Sequence, residues 1–185
     1  MASLFSHPAV PLAIGVALGA GIVSPRLLLA GIVGCILPDA DVIAYGLGAP
    51  YASAFAHRGF THSIFFALLC GAVAAFFAPS LKSRRWIAFT FVSVATASHG
   101  LLDAFTTGGP GIAFFWPFAN ERYFMPVQII LVSPIGIARF FSERGASVLL
   151  SELKWVWLPS LALAVAFYRI RVAWEHGQRC NRRFS

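Results

Sequence analysis

The sequence predicts an all-α fold: a polytopic membrane helical bundle of about five to six hydrophobic helices, with a metal site at one face. Three observations predict it. Apolar residues make up 58% of the 185-residue chain and charged residues only 11%, against a usual ~45–50% and ~25%. The apolar residues fall in long runs parted by short Pro, Gly and basic breaks. The His and Asp residues cluster at the ends of those runs. With a mean hydropathy of +0.77, too few charges exist to coat a soluble core.

The balance is basic, 14 Lys and Arg against 7 Asp and Glu. The positive residues sit in short clusters between or after apolar runs: Lys82, Arg84 and Arg85, then Arg139 and Arg144, then Arg169, Arg171, Arg179, Arg182 and Arg183. That placement marks juxtamembrane loops and anionic lipid surfaces rather than nucleic acid. Cys35, Cys70 and Cys180 lack any CxxC spacing and imply no disulfide framework. The N-terminus lacks the basic stretch of a secretory signal, and its first apolar run reads as a retained membrane segment.

The first helix is expected over residues 8–23, broken by Ser24-Pro25-Arg26. A short second is expected over 27–37 and stops at Pro38, whose ring disfavours helix just before it. Residues 38–61, with Gly46, Gly48, Pro50 and Gly59, suit a structured loop. A third helix is expected over 61–78, capped by Thr61 or Ser63, and a fourth over 86–105. An aromatic segment, Phe114-Phe115-Trp116-Pro117-Phe118, suits the membrane–water interface. A fifth apolar stretch, 126–141, is interrupted by Ser133-Pro134; residues 142–154 are polar enough to leave the bilayer; the last run is 155–168. The whole chain, 1–185, reads as one membrane-embedded domain. Its motif-bearing region is 1–125, further membrane helices occupy 126–172, and 173–185 is a basic tail.

Ionisable residues at membrane helix ends are costly and point to function. If each of the first four helices crosses, His7, Asp39, Asp41, His57, His62, His99 and Asp103 all arrive at one face. His99 and Asp103 are four apart on a helix and share a side, as paired metal ligands do. Asp39 and Asp41 repel one another unless a cation or proton lies between them. The expected ligands are therefore His57, His62, His99, Asp103, Asp39 and Asp41. His7 either completes the set or sits at the interface. Mixed His and carboxylate donors suit zinc, with manganese or iron as alternatives, and their number allows one or two ions.

Three segments together resemble a known group. Leu37-Pro38-Asp39-Ala40-Asp41, His57-Arg58-Gly59-Phe60-Thr61-His62-Ser63 and His99-Gly100-Leu101-Leu102-Asp103, with the Gly-rich exit and Trp116-Pro117, resemble the YdjM-like family of bacterial inner-membrane proteins, described as metal-dependent hydrolases. The resemblance covers roughly residues 5–125 and implies a hydrolase-like metal site in a membrane bundle. The HxxxD element is also similar to one in zinc-dependent phospholipase C and related nucleases, an analogy only.

The expected activity is metal-dependent hydrolysis of a phosphoester or other ester of a lipid-like substrate by a metal-activated water. Asp39 or Asp41 is a candidate general base, and Arg58 a candidate partner for a phosphate oxygen. Arg58, Arg122 and Trp116 are the candidate substrate contacts, with Arg122 equally suited to anchor at the interface. The non-enzymatic alternative is a metal-binding or metal-transporting membrane protein. Expected partners are membrane lipids and that substrate, with no nucleic acid. Arg26, Lys82, Arg84, Arg85, Arg139, Arg144 and Lys154 fall opposite the site, which makes the site face extracytoplasmic in the bacterial inner membrane. The basic tail disagrees if the fifth and sixth helices both cross, and the proline-broken fifth is the suspect.

Overall fold

The computed structural model describes residues 1–42, 57–134 and 140–181. Among them the fold is all-helical, with two isolated β-bridges and no strand. Helix α1 spans Ala9–Leu18, α2 Pro25–Ile36, α3 Ile64–Phe76, α4 Arg85–Ala104, α5 Glu143–Glu152 and α6 Leu158–Asn181. A π-helical turn, Leu153–Trp157, joins α5 to α6. Two helices are long and apolar enough to cross a membrane: α4, and the rod Glu143–Gln178 that contains α5 and most of α6. Helices α1 and α3 are apolar but shorter than the ~20 residues a perpendicular crossing needs.

Local chemistry sets the boundaries. Helix α1 ends at Gly19, in the left-handed region at φ 76, earlier than the apolar run suggests. At α2, Ser24 caps the N-terminus by accepting from the Leu27 amide, and Pro25 occupies the first turn, where its missing N–H costs nothing. Pro38 stops the α-helix, and the chain tightens into a 3₁₀ segment, Leu37–Asp41. Ser63, one of the two expected caps, starts α3 by accepting from Phe66 N at 3.0 Å. Thr61 and His62 thus stand ahead of that helix, in a 3₁₀ turn, Phe60–His62. The expected loop glycines Gly46 and Gly48, with Pro50, lie outside the described residues.

Helix α4 is the mostly buried centre. It packs along α3 and α2, while α1 lies against α6. A core of Val23, Leu27, Ala74, Ala78, Ala88, Phe91 and Val92 closes the end away from the site. At that end Ser24 Oγ donates to the Leu81 carbonyl at 2.5 Å and Arg26 to the Ser80 carbonyl at 3.1 Å. By contrast the outward face of α6 is open and apolar, with Leu158, Leu161, Leu163, Phe167, Ile170 and Trp174 exposed.

Two expectations are corrected. The fifth apolar stretch, 126–141, is not a helix over its described residues 126–134. It is an extended strap flanked by Pro126 and Pro134 and tied to the end of α4. Met125 N donates to Ala104 O at 3.0 Å, Ile129 N to Phe105 O at 3.0 Å, and Thr107 N to Ile130 O at 2.9 Å. Leu131 N donates to Ser151 Oγ at 3.0 Å. These partners lie at the site end, so the strap never crosses. The second correction concerns residues 142–154: they form α5 and run through the π turn into α6. The basic tail, through residue 181, continues that helix.

The consequence is a re-sorting of charge. Arg144 donates to the Val132 carbonyl at 3.4 Å, at the site end rather than opposite it. Lys154, two residues beyond the site-end Glu152, lies with it. Arg139 lies outside the described residues. Helix α6 descends beside α1, bringing Arg171 to the Gly19 turn at the far end. Arg169 and Arg171 therefore share the end of Arg26, Lys82, Arg84 and Arg85. The conflict over the tail disappears because, among the described residues after 126, only the rod of α5 and α6 runs the length of the bundle.

Candidate metal centre

Every expected ligand is buried and the fold gathers all seven in one place. His7 enters from the turn before α1; Asp39 and Asp41 come from the 3₁₀ segment after α2. His57 and His62 flank Arg58 ahead of α3, and His99 and Asp103 lie one turn apart at the end of α4. Asp39, His62, His99 and Asp103 offer ligand atoms within 4.8 Å of one another, and so do Asp41, His57 and His62. His62 belongs to both sets.

The first set has coordination spacing. His62 Nε2 and His99 Nε2 are 3.1 Å apart. His99 Nε2 is 3.4 Å from Asp39 Oδ1, and His62 Nε2 is 3.7 Å from Asp103 Oδ2. His7 Nε2 is 3.8 Å from Asp103 and 3.9 Å from Asp39, and its ring stacks on His99 with centroids 3.7 Å apart. Donors held by one ion at ~2.0–2.1 Å stand about 3.3 Å apart at tetrahedral angles.

The polar atoms there are left without hydrogen bonds. Among the described residues, both ring nitrogens of His7, both oxygens of Asp39 and Oδ2 of Asp103 are buried with no hydrogen-bond partner. Such groups are rare and each demands an explanation. Three carboxylates, Asp39, Asp41 and Asp103, also outnumber the two cations near them, the buried Arg58 guanidinium and the N-terminal ammonium. The deficit is of positive charge. Residues present therefore fit a divalent cation, by charge, donor type and spacing.

A second layer fixes the donors. The Cys35 carbonyl lies 2.6 Å from His99 Nδ1 and can only accept, so Nδ1 carries a hydrogen and, in the neutral ring, Nε2 presents a lone pair. Asp41 Oδ1 meets His57 Nδ1 at 2.7 Å, while Oδ2 accepts from Thr61 Oγ1 at 2.8 Å and Arg58 N at 3.2 Å. Burial pushes the Asp41 carboxyl up, but the hydrogen bonds from His57 and His62 outweigh it and hold it below the usual carboxylate range. Burial pulls His7 down from 6.5 to about 3, with the neighbouring His99 adding to the fall. At neutral pH its imidazole is a free donor.

Arg58 is fully buried with its backbone at φ 67, a left-handed conformation costly for a residue other than glycine. Its Nε lies 3.3 Å from Asp103 Oδ2, Nη1 donates to the Gly108 carbonyl and Nη2 to Thr106 Oγ1, both at 2.8 Å. Gly109, at φ 102, admits it: a Cβ there would stand 2.4 Å from Nη1. Gly100 allows another close approach, since a Cβ on it would stand 2.8 Å from the His62 carbonyl. Arg122 is half-buried and donates to the His57 carbonyl at 3.2 Å. Trp116 packs on Phe60 and Phe65, with centroids 4.8 and 6.1 Å away. Neither lines the groove that reaches Asp39.

Comparison with known proteins decides the family. The model of the YdjM inner membrane protein family matches residues 1–177. The chain belongs to that family. It is also 43% identical over 169 residues to the inner membrane protein YbcI of Escherichia coli (strain K12), covering 88% of this chain and 95% of that one. No solved structure matches it. Like its family, the chain is an inner-membrane protein.

Sequence reasoning missed Glu152. It is buried in the π-turned rod and accepts from Ser3 Oγ at 2.5 Å, from Ser6 Oγ at 2.7 Å and from the Ser3 amide. Ala2 N donates to Asp103 Oδ1 at 2.6 Å. Residues 1–8 are thereby clasped between α4 and α5, and His7 is carried into the centre. An acid immediately ahead of an apolar run was the available signal.

Proposed function

We propose that this YdjM-family member is a membrane-embedded metal-dependent hydrolase, cleaving a phosphoester or other ester of a lipid-like substrate. The observation that supports it most is the set of buried donors on His7, Asp39 and Asp103 that make no hydrogen bond, at coordination spacing from His62 and His99. His7, Asp39, His99 and Asp103 would hold one ion, zinc before manganese or iron. His57 and Asp41 would hold a second, with His62 between the two. When bound, such an ion supplies Lewis acidity and acidifies water enough for attack near neutral pH.

The side chains divide the remaining work. Asp41 meets His57 through Oδ1 and the Thr61 hydroxyl through Oδ2, so it would serve the second ion only by giving up the His57 bond, and it is not the acceptor of a substrate proton. Asp39 has no hydrogen bond at either oxygen and lines an open groove, so one oxygen would hold the ion while the other, as general base, takes the proton of the attacking water. Arg58 holds Asp103 in place. Arg122, held by the His57 carbonyl, and Trp116, packed on Phe60, stay candidate head-group contacts outside the groove at Asp39. The basic residues at the opposite end favour an extracytoplasmic site in a chain acting as one membrane domain.

The test is hydrolysis by detergent-purified protein, stripped by chelator and then reloaded with zinc or manganese, on phosphatidic acid and a chromogenic phosphodiester. Release of product that needs the metal, and falls at least about a hundredfold in Asp39→Asn, supports the reading. No release from either substrate, with metal flux into proteoliposomes, supports the metal-transporting alternative.

A further inference from the structure

Beside Asp39 lies an open groove of ≈ 540 Å³ between the N-terminal segment and the end of the strap. Its walls are Leu4, Phe5, Val42, Pro134, Phe140 and Phe141, and Asp39 is the carboxylate among the described lining residues. The Phe5 and Phe140 rings stand 5.9 Å apart. Phe5 is 62% and Phe141 81% exposed, a large apolar surface at an opening that reaches a metal-site carboxylate. A second groove, lined by Ile14, Leu18, Trp86, Phe91 and Val94, meets no ionisable group and has no chemistry to serve.

The segment that builds the first groove is sorted by side. Ser3, Ser6 and His7 point inward, to Glu152 and the metal centre, and Leu4 and Phe5 are left outward. The clasp that delivers a ligand thus also sets one groove wall. An ionic end and aromatic walls together match an amphiphile: the head group reaches the donors while a chain covers the rings. A small water-soluble ester gains nothing from that wall, and an ion path would be polar along its length.

We infer that this groove binds one hydrocarbon chain of the substrate and so places its ester at Asp39. The inference rests on the hydrolase reading for the identity of the head group. It rests on the groove alone for the chain.

The test uses full-length protein in nanodiscs with a trace of phosphatidic acid carrying a diazirine in one acyl chain. Photocrosslinks are mapped by peptide mass spectrometry. Labelling at Leu4, Phe5, Phe140 or Phe141 should saturate and be competed by unlabelled phosphatidic acid or by a polyprenyl phosphate; the stronger competitor identifies the chain type. Phe76 on α3, 78% exposed, reports bulk lipid and should label in proportion to probe without competition. Phe141→Asp and Val42→Trp should each cut groove labelling about tenfold, the worth of one ring's burial, with Phe76 unchanged. Saturable labelling without hydrolysis upholds the groove and sinks the esterase chemistry. Groove labelling that rises linearly with probe, as at Phe76, overturns the inference.

Discussion

His62 Nε2 and His99 Nε2 face each other across 3.1 Å, and the Cys35 carbonyl obliges His99 to carry a hydrogen on Nδ1, so its neutral ring turns a lone pair to that gap. Two lone pairs so placed repel without a cation or a proton between them. With zinc bound, both Nε2 atoms would be ligands. Nitrogen NMR of the zinc form should show His99 protonated at Nδ1 alone, with Nε2 shifted by the metal. Protonation at Nε2 of His99 in the zinc form would contradict this.

Arg58 and Asp103 are a buried pair, each fully inaccessible. Arg58→Ala should destabilise the protein by about 3–5 kcal/mol, because it strands the Asp103 carboxylate rather than removing one bond. Arg58→Lys should recover only part of this, since an ammonium cannot serve Asp103, Gly108 and Thr106 with one planar fork. Thermal denaturation in detergent reads both, and equal stability of Lys and Arg proteins would refute the role of the fork.

Glu152 predicts a local effect with a distant readout. Glu152→Gln exchanges an acceptor-only carboxylate for an amide that suits two hydroxyls and an N–H less well, at about 1–3 kcal/mol. Amide exchange should quicken in residues 1–8, and metal affinity should fall because His7 is no longer held. Exchange that quickens instead at α3 would place the role of Glu152 elsewhere.

Gly100→Ala tests close approach. The new Cβ would meet the His62 carbonyl at 2.8 Å, against rigid backbone, so the His62 turn must shift. A loss of about 1–3 kcal/mol is expected, with weaker metal binding. Unchanged metal affinity measured by competition with a chromogenic chelator would show that the turn yields freely.

Acid should weaken the metal-free protein in a defined window. His7 is held neutral in the fold, at about 3 against 6.5 when unfolded, so the unfolded chain takes up its proton first. Stability then falls as pH drops below 6.5, by up to about 1.4 kcal/mol per pH unit, until about 3. Asp41 acts lower: its contribution is complete above 3.8 and is lost as pH falls through its depressed folded value. Melting curves from pH 8 to 4 should slope in wild type and slope less steeply in His7→Asn, where the buried His62 still contributes; parallel slopes would refute the assignment.

Much of this was legible in the sequence because helix ends carry their own signals. Pro38, Ser24 and Ser63 mark boundaries, and the hairpin path puts Asp39, His62 and Asp103 at one end once four helices alternate. The chain beyond residue 126 was not legible. The apolar stretch 126–141 reads as a membrane helix, and its backbone bonds to Ala104 and Phe105, with one to the Ser151 hydroxyl, make residues 126–134 a strap. Residues 143–152 read as polar and proved helical, because Glu152 is satisfied by Ser3 and Ser6 from the other end of the chain. Arg58, expected at a phosphate, points instead to Asp103, an orientation set by the φ of 67 that no spacing announces.

The most direct measurement is metal content by elemental mass spectrometry on detergent-purified protein, wild type beside His99→Ala and Asp103→Ala. The centre described predicts about one to two equivalents of transition metal in wild type, lost from both variants while they remain folded. Wild-type protein that stays metal-free after incubation with zinc and manganese would contradict it, leaving the histidines and aspartates a buried polar network.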